Sequence, residues 1–158
     1  MSTQPRPMME NEILAVAALW HDTWHGAHDH LFPHALCLFR TKNFFRRRID
    51  YERETVRVFG APGKPIGLCI VLRANLDQLY VATSERGKGV GERLLADAEA
   101  RMRESGVTEA NLYVALGNDG AFRFYERHGW TDAGKVDKVL EVANGNITIV
   151  VRKMIKGL

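Results

Sequence analysis

Cysteine occurs only twice in the 158 residues, as Cys37 and Cys69, and no C-x-x-C pair is present. This excludes a disulfide scaffold and a zinc ribbon and suits a reducing, cytoplasmic setting. Both thiols stand in apolar surroundings and read as small buried hydrophobes rather than nucleophiles. Long apolar runs are also missing. The longest, Ile13 to Trp20, is too short to span a bilayer, and Glu10 and Glu12 stand where the basic region of a signal peptide would be. No membrane partner is therefore expected. Charge of one sign is scarce: 22 basic residues face 19 acidic ones, a formal net charge of +3. That mild excess suits a small anionic ligand better than a nucleic-acid surface. Repeats, linkers and low-complexity segments are lacking, so residues 1–158 read as one domain with enough chain to bury a core.

What is present is a regular alternation of helical and strand patterns. Met1 to Pro7 is polar and proline-containing and reads as a short edge strand or a frayed end. Ile13, Ala17 and Trp20 recur at helical spacing, with Asn11 as N-cap and a stop expected before Gly26. Gly26 to His34 has no period and reads as a loop. Thr41 caps a second predicted helix to about Ile49, with Phe44, Phe45 and Ile49 inward. Strands follow at Thr55–Phe59, Ile66–Leu72 and Leu76–Val81; the middle one is nearly all apolar, as for a strand covered on both faces. Gly89 to Ser105 carries an apolar stripe of Val90, Leu94, Leu95, Ala98 and Met102, closed by Gly106. A strand over Glu109–Val114, a short helix over Ala121–His128 and a hairpin of strands around Ala143-Asn144-Gly145 complete the chain. The expected class is mixed α/β, with helices on both faces of the sheet.

Two stretches carry the chemistry. The first runs from Asp77 to Gly91. Leu79, Tyr80 and Val81 favour a strand, and Arg86-Gly87-Lys88-Gly89-Val90-Gly91 is a glycine-rich entry into a helix. Helix starts bind anions through free amides and the positive dipole end, and glycine lets the backbone come close. The stretch reads as a phosphate cradle or, more plainly, as a tight strand-to-helix turn. It has neither the P-loop nor the Rossmann glycine spacing. The second stretch is Asn118 to Trp130. Asn118 caps a helix whose Ala121, Phe124 and Tyr125 share one face, and Gly129 ends it.

Together the stretches resemble the GNAT superfamily of acyl-CoA-dependent N-acetyltransferases. Arg86-Gly87-Lys88-Gly89-Val90-Gly91 matches its signature Arg/Gln-x-x-Gly-x-Gly/Ala, and Asn118, Ala121, Phe124, Tyr125, Gly129 and Trp130 match Asn-x-x-Ala-x-x-Phe-Tyr-x-x-x-Gly-Phe/Trp. The element order agrees from about Ile13 to the C-terminus. The departure is the first strand, where Thr3-Gln4-Pro5-Arg6-Pro7 replaces the usual apolar run. The resemblance implies a mostly antiparallel sheet of about six to seven strands with a splayed parallel pair. It implies acetyl-CoA as co-substrate in the splay and no metal. The backbone of Leu79, Tyr80 and Val81 would pair with the pantetheine arm. The segment Arg86, Gly87, Lys88, Gly89, Val90 and Gly91 would hold the diphosphate. Asn118, Ala121 and Phe124 would flank the cofactor arm.

An amine attacking a thioester needs a proton donor for the departing thiolate. Tyr125 suits this, because a phenol pKa of roughly 10 lies above a thiol pKa of roughly 8.5. The amide of Val81 would polarise the carbonyl. The base is open: Asp77 faces the same way as Val81 by period two, and a water chain or a histidine serves equally. In the resembled family the acceptor site lies between the first helical loop and the last hairpin. Here these are about Trp24–His34 and Val142–Asn146, so Trp24, His28, His30 and Phe32 are acceptor-site candidates beside plain core packing. His21 and His25 stand one turn apart, as zinc ligands can, but solvated or substrate-facing histidines suit the pattern better. Arg46-Arg47-Arg48 reads as a solvated helix face, or as a contact for an acidic acceptor. The function implied is transfer of an acetyl group to a primary amine of a small molecule or protein; a non-catalytic acyl-CoA sensor is the alternative. Dimers are common in the family, so a homodimer is a further expectation.

Overall fold

The computed structural model describes residues 3–158. Met1 and Ser2, which the sequence reading had joined to the first strand, lie outside the described residues. The elements are β1 (Arg6–Pro7), α1 (Ile13–His28), α2 (His34–Phe39), α3 (Lys42–Tyr51), β2 (Val56–Phe59), β3 (Gly67–Leu72), β4 (Asn75–Val81), α4 (Val90–Glu104), β5 (Glu109–Ala115), α5 (Asp119–Arg127), β6 (Thr131–Val142) and β7 (Gly145–Gly157). The seven-stranded sheet has the order β1-β2-β3-β4-β5-β7-β6. Every neighbouring pair is antiparallel except β4 and β5. The mixed α/β class and the mostly antiparallel sheet with one parallel pair are therefore as expected.

The sheet is sandwiched. On one face α1 and α3 bury Val16, Trp20, Phe45 and Ile49 against Val58, Leu68 and Ile70. On the other, α4 buries Leu94, Leu95, Ala98 and Met102 against Cys69, Leu112 and Met154, with Tyr125 and Trp130 alongside. Each fully buried side chain of this size contributes roughly 1.5–3 kcal/mol. Residues 67 to 70 of β3 are all buried, because both layers cover them.

Three local readings change. The helix expected to stop before Gly26 continues to His28, because Gly26 lies on an open face with nothing near an added Cβ, so it costs propensity without breaking the turn. Asn11 lies inside a 3-10 turn, Glu10–Glu12, rather than capping α1. The loop shortens, since residues 34–39 form α2. Thr41 does cap α3, its hydroxyl accepting from Phe44 N–H at 3.1 Å.

The proline-flanked β1 pairs with β2 over two residues and is secured by a side chain. Glu12, fully buried, accepts from both Arg6 Nη atoms (2.8 and 2.7 Å), from Met9 N–H (2.9 Å) and from Gly63 N–H (2.8 Å). The Arg6 hydrogen bonds outweigh burial and bring its pKa from 4.5 to about 2. A depressed carboxylate pKa stabilises the fold above the unfolded value, and that contribution disappears as pH falls through the folded one. Thermal unfolding of the wild type should therefore lose stability between about pH 4.5 and 2 more steeply than that of Glu12→Gln. Parallel curves for the two proteins would remove Glu12 from the acid response.

Candidate active site

The parallel pair β4 and β5 touches at one register position, Asn75 with Asn111. The joint is braced by Asn75 Nδ2 donating to Asn111 Oδ1 and Asn111 N–H donating to Ala74 O, each at 2.8 Å. Beyond it the strands diverge. A cleft of about 810 Å³ opens between β4, the start of α4 and α5. That is the size of a small-ligand pocket.

The backbone of β4 is directed into this cleft. Ala82 N–H donates to Ile66 O at 2.8 Å, which makes Gly67 and Val81 a non-bonded pair. Bonded and non-bonded pairs alternate in an antiparallel ladder. The main-chain groups of Leu79 and Val81 therefore point away from β3, toward the splay. After Val81 the chain makes a 3-10 turn, Thr83–Glu85, and enters α4 through Gly89 as N-cap. Gly87 (φ 77°) and Gly89 (φ 81°) are left-handed, and an added Cβ at either would meet nothing within 4 Å. The concavity in front of the helix start is thus open. Gly91 works differently: its Cβ position lies 3.5 Å from Phe124 Cζ and 3.6 Å from Val81 Cγ2, so α4, β4 and α5 close together there.

Arg86 lines the cleft with no ion-pair partner among the described residues, whereas Lys88 is exposed and pairs with Glu85 at 3.0 Å. Of the two cations read into the cradle, only Arg86 faces it. Leu79, Tyr80, Val81, Gly87, Gly89, Val90, Gly91, Asn118, Ala121 and Phe124 all line the cleft. Asn118 Oδ1 accepts from Ala121 N–H at 3.3 Å and so shapes the start of α5. Tyr125 lines the same wall and is mostly buried. Burial raises its phenol pKa above the ordinary value, with the nearby Cys69 a smaller contribution in the same direction, so the hydroxyl keeps its proton throughout the neutral range. Arg127 and His128 also line the cleft. The sequence reading passed over Arg127, although its place three residues after Phe124 puts it on the same side of α5.

Asp77 departs from the period-two argument. The β3–β4 ladder pairs Ile70 with Gln78 and Val71 with Leu76, leaving Asp77 as the extra residue of a bulge. The bulge shifts the alternation. Leu79 and Val81 pack toward α4, while Asp77 reaches α3 on the opposite face, with its Oδ2 3.1 Å from Arg48 Nη2. Arg48 also holds Glu52, so this member of the basic run turns inward instead of joining a solvated face. Phe45 and Ile49 set the helix phase that brings it there.

The acceptor candidates separate. Trp24 is buried among Phe45, His28 and Phe32. His28 is buried and stacks on Phe32 at 4.8 Å, and its Nδ1–H donates to Trp24 O. Burial brings the pKa of His28 down to about 4, so it is neutral near pH 7. Trp24 and His28 are core, and Phe32 is half-buried against them. His30, by contrast, lines the cleft beside Leu31. His21 and His25 each bond a neighbouring carboxylate, Asp22 and Asp29 respectively. A second concavity, about 1040 Å³, lies between α2, α3 and the hairpin tip at residues 141–144. Arg48 lines it, so the Arg48–Asp77 pair joins this groove to β4 two residues before Leu79.

Residues 14–130 match the model of the acetyltransferase (GNAT) family. The chain belongs to the GNAT family. Spermidine N(1)-acetyltransferase of Thermoplasma acidophilum is 36% identical over 61 residues, covering 39% of this chain and 38% of that protein. The chain spans about two-fifths of the length of the curated relatives it matches. Among solved structures, a GCN5-related N-acetyltransferase from Rhodopseudomonas palustris superposes with a TM-score of 0.77 at 18% identity, covering 100% of this chain and 98% of that one. The PaiA N-acetyltransferase of Thermoplasma acidophilum in complex with coenzyme A gives 0.71 at 20% identity over 100% of both chains. These likenesses establish the GNAT fold. Among the described residues no helix is long and apolar enough to cross a membrane.

Proposed function

We propose that the protein transfers the acetyl group of acetyl-CoA to a primary amine by direct attack. The observation that carries this reading is one cleft holding three things together: a strand edge with unpaired main-chain groups, an open helix start for anions, and a protonated Tyr125. Acetyl-CoA fits because the helix start in front of Gly87 and Gly89 is open on the cleft side. Bound there, it supplies an acyl thioester. Leu79 and Val81 would pair with its pantetheine arm as an added strand does. The amides from Gly87 to Gly91 and the Arg86 guanidinium would hold the diphosphate.

As the amine nitrogen bonds to the acyl carbon, the Val81 amide supports the charge on the carbonyl oxygen. As the carbon–sulfur bond breaks, the Tyr125 hydroxyl would give its proton to the thiolate, and the phenolate would be reprotonated from the water that takes up the amine's proton. The proton lost by the amine leaves through water at the cleft mouth, where His30 stands, since Asp77 is engaged by Arg48. A cytoplasmic location accords with the two free thiols, Cys37 and Cys69.

Calorimetric titration with acetyl-CoA tests the donor half. Arg86→Ala should weaken binding about tenfold, the loss of roughly 1.4 kcal/mol of charge-assisted contact. Unfolding should not change, because the Arg86 side chain has no ion-pair or hydrogen-bond partner among the described residues. Unaltered affinity would place the diphosphate elsewhere. The acceptor half is tested by CoA release with a panel of amines; tight donor binding with no release on any acceptor would favour the sensor reading.

A further inference from the structure

Resting on the acetyl-transfer reading, we infer that Gly26 and Ala27, in the last turn of α1, seat the acceptor's amine, with its nitrogen held by their main-chain carbonyl oxygens. Both residues line the donor cleft itself, in company with Leu79, Val81 and Tyr125. An amine seated there shares one chamber with the thioester it attacks.

Gly26 departs from what its own helix asks. It lies inside α1, where glycine costs stability relative to alanine. Its φ is not left-handed, so the backbone does not require glycine. An added Cβ would meet nothing within 4 Å, so no neighbour in the fold requires it either. Gly117, in the wall of the same cleft, is the contrast: its Cβ would meet Leu31 Cδ2 at 2.8 Å, and packing accounts for that glycine. At Gly26 the remaining use is space on the cleft side, where glycine lets a ligand approach the main chain.

The polar groups define the ligand. The last carbonyls of a helix have no partner within it. Here Asp29 N–H donates to His25 O at 3.1 Å, and Leu31 and Phe32 N–H both donate to His28 O. Gly26 O and Ala27 O are left with no hydrogen-bond partner among the described residues. Two free acceptors at the negative end of a 16-residue helix suit a cation that donates N–H bonds, as a primary ammonium does. Tyr80 fixes where this seat lies relative to the reaction. Its main chain faces Leu68 of β3, so its ring is what lines the cleft. His28 meets that ring edge-on, with centroids 6.3 Å apart. The last turn of α1 thus stands over β4 at the residue between Leu79 and Val81. An ammonium bonded to the two carbonyls gives its third proton to water at the cleft mouth, and the freed lone pair forms the bond to the acyl carbon.

The test is CoA release with phenylethylamine, spermidine and a short lysine-containing peptide, on the wild type, Gly26→Ala and Gly26→Val. Gly26→Val should raise KM at least about tenfold for every amine the wild type uses and leave kcat within about threefold, as loss of uniform binding does. KM for acetyl-CoA should be unchanged. Gly26→Ala should raise amine KM less, while its unfolding temperature rises by about 2 °C, because alanine is the better helix residue. Stability gained as acceptor use falls is what a merely structural glycine would not produce. An unchanged amine KM in Gly26→Val would overturn the inference and leave acetyl transfer standing. An acetyl-CoA KM that rises in step would do the same, placing the donor's arm at Gly26. A lower unfolding temperature in Gly26→Ala would also overturn it, by showing an internal packing role. No release with any of the three acceptors, with acetyl-CoA bound, would remove the parent reading and this inference together.

Discussion

Replacing Tyr125 by Phe should lower kcat by about two orders of magnitude, the usual contribution of a positioned general acid. The ring packs against Trp130 and Phe124, and phenylalanine keeps that shape. Acetyl-CoA affinity should hold within about twofold, since no charge or cleft wall is lost. The reason for a large effect is position, since Tyr125 lines the same cleft as Leu79 and Val81. Burial keeps the phenol protonated, so a donor is present at every turnover near neutral pH. The loss should appear in kcat and kcat/KM alike, as for an interaction made in the transition state only. A variant as fast as the wild type would mean that water or another group protonates the thiolate.

Glu12→Ala should cost about 3–5 kcal/mol, as large a loss as truncating a buried aromatic of the core. The substitution leaves the Arg6 guanidinium half-buried without its carboxylate and frees two backbone donors, Met9 N–H and Gly63 N–H. For a chain of this length each kcal/mol lowers the unfolding temperature by roughly 2–4 °C, so a drop on the order of 10 °C is expected by calorimetry. A paired change, Arg6→Met with Glu12→Leu, should recover much of it, because removing both charges removes the desolvation cost as well. A loss below about 1 kcal/mol in Glu12→Ala would show that β1 is held by its two-residue pairing alone.

The segments that line the proposed donor cleft were legible in the sequence because each is contiguous. Arg86 to Gly91 and Asn118 to Tyr125 are local signals: glycines that permit a positive φ, an Asn that caps a helix, and aromatics at helical spacing. What such signals encode, the backbone around them enacts. The acceptor side was not legible in the same way. Trp24 and His28 could wall a pocket or fill a core, and only the docking of α1 on α3 buried them, with Phe32 half-buried alongside. Arg48 could be a solvated charge or an inward one, and only the packing of Phe45 and Ile49 turned it to Asp77.

Asp77 marks the boundary between the two kinds of information. Period two placed it beside Val81, and a one-residue bulge in β4 moved it to the other face. The linear order of residues was sufficient for the class of sheet, the helix layers and the donor motif, because hydrophobic periodicity and turn chemistry act over a few residues. The bulge at Asp77, the facing of Lys88 away from the cradle and the groove between α3 and the hairpin came from packing alone. They depend on contacts between segments far apart in the chain, whose geometry no short stretch of sequence contains.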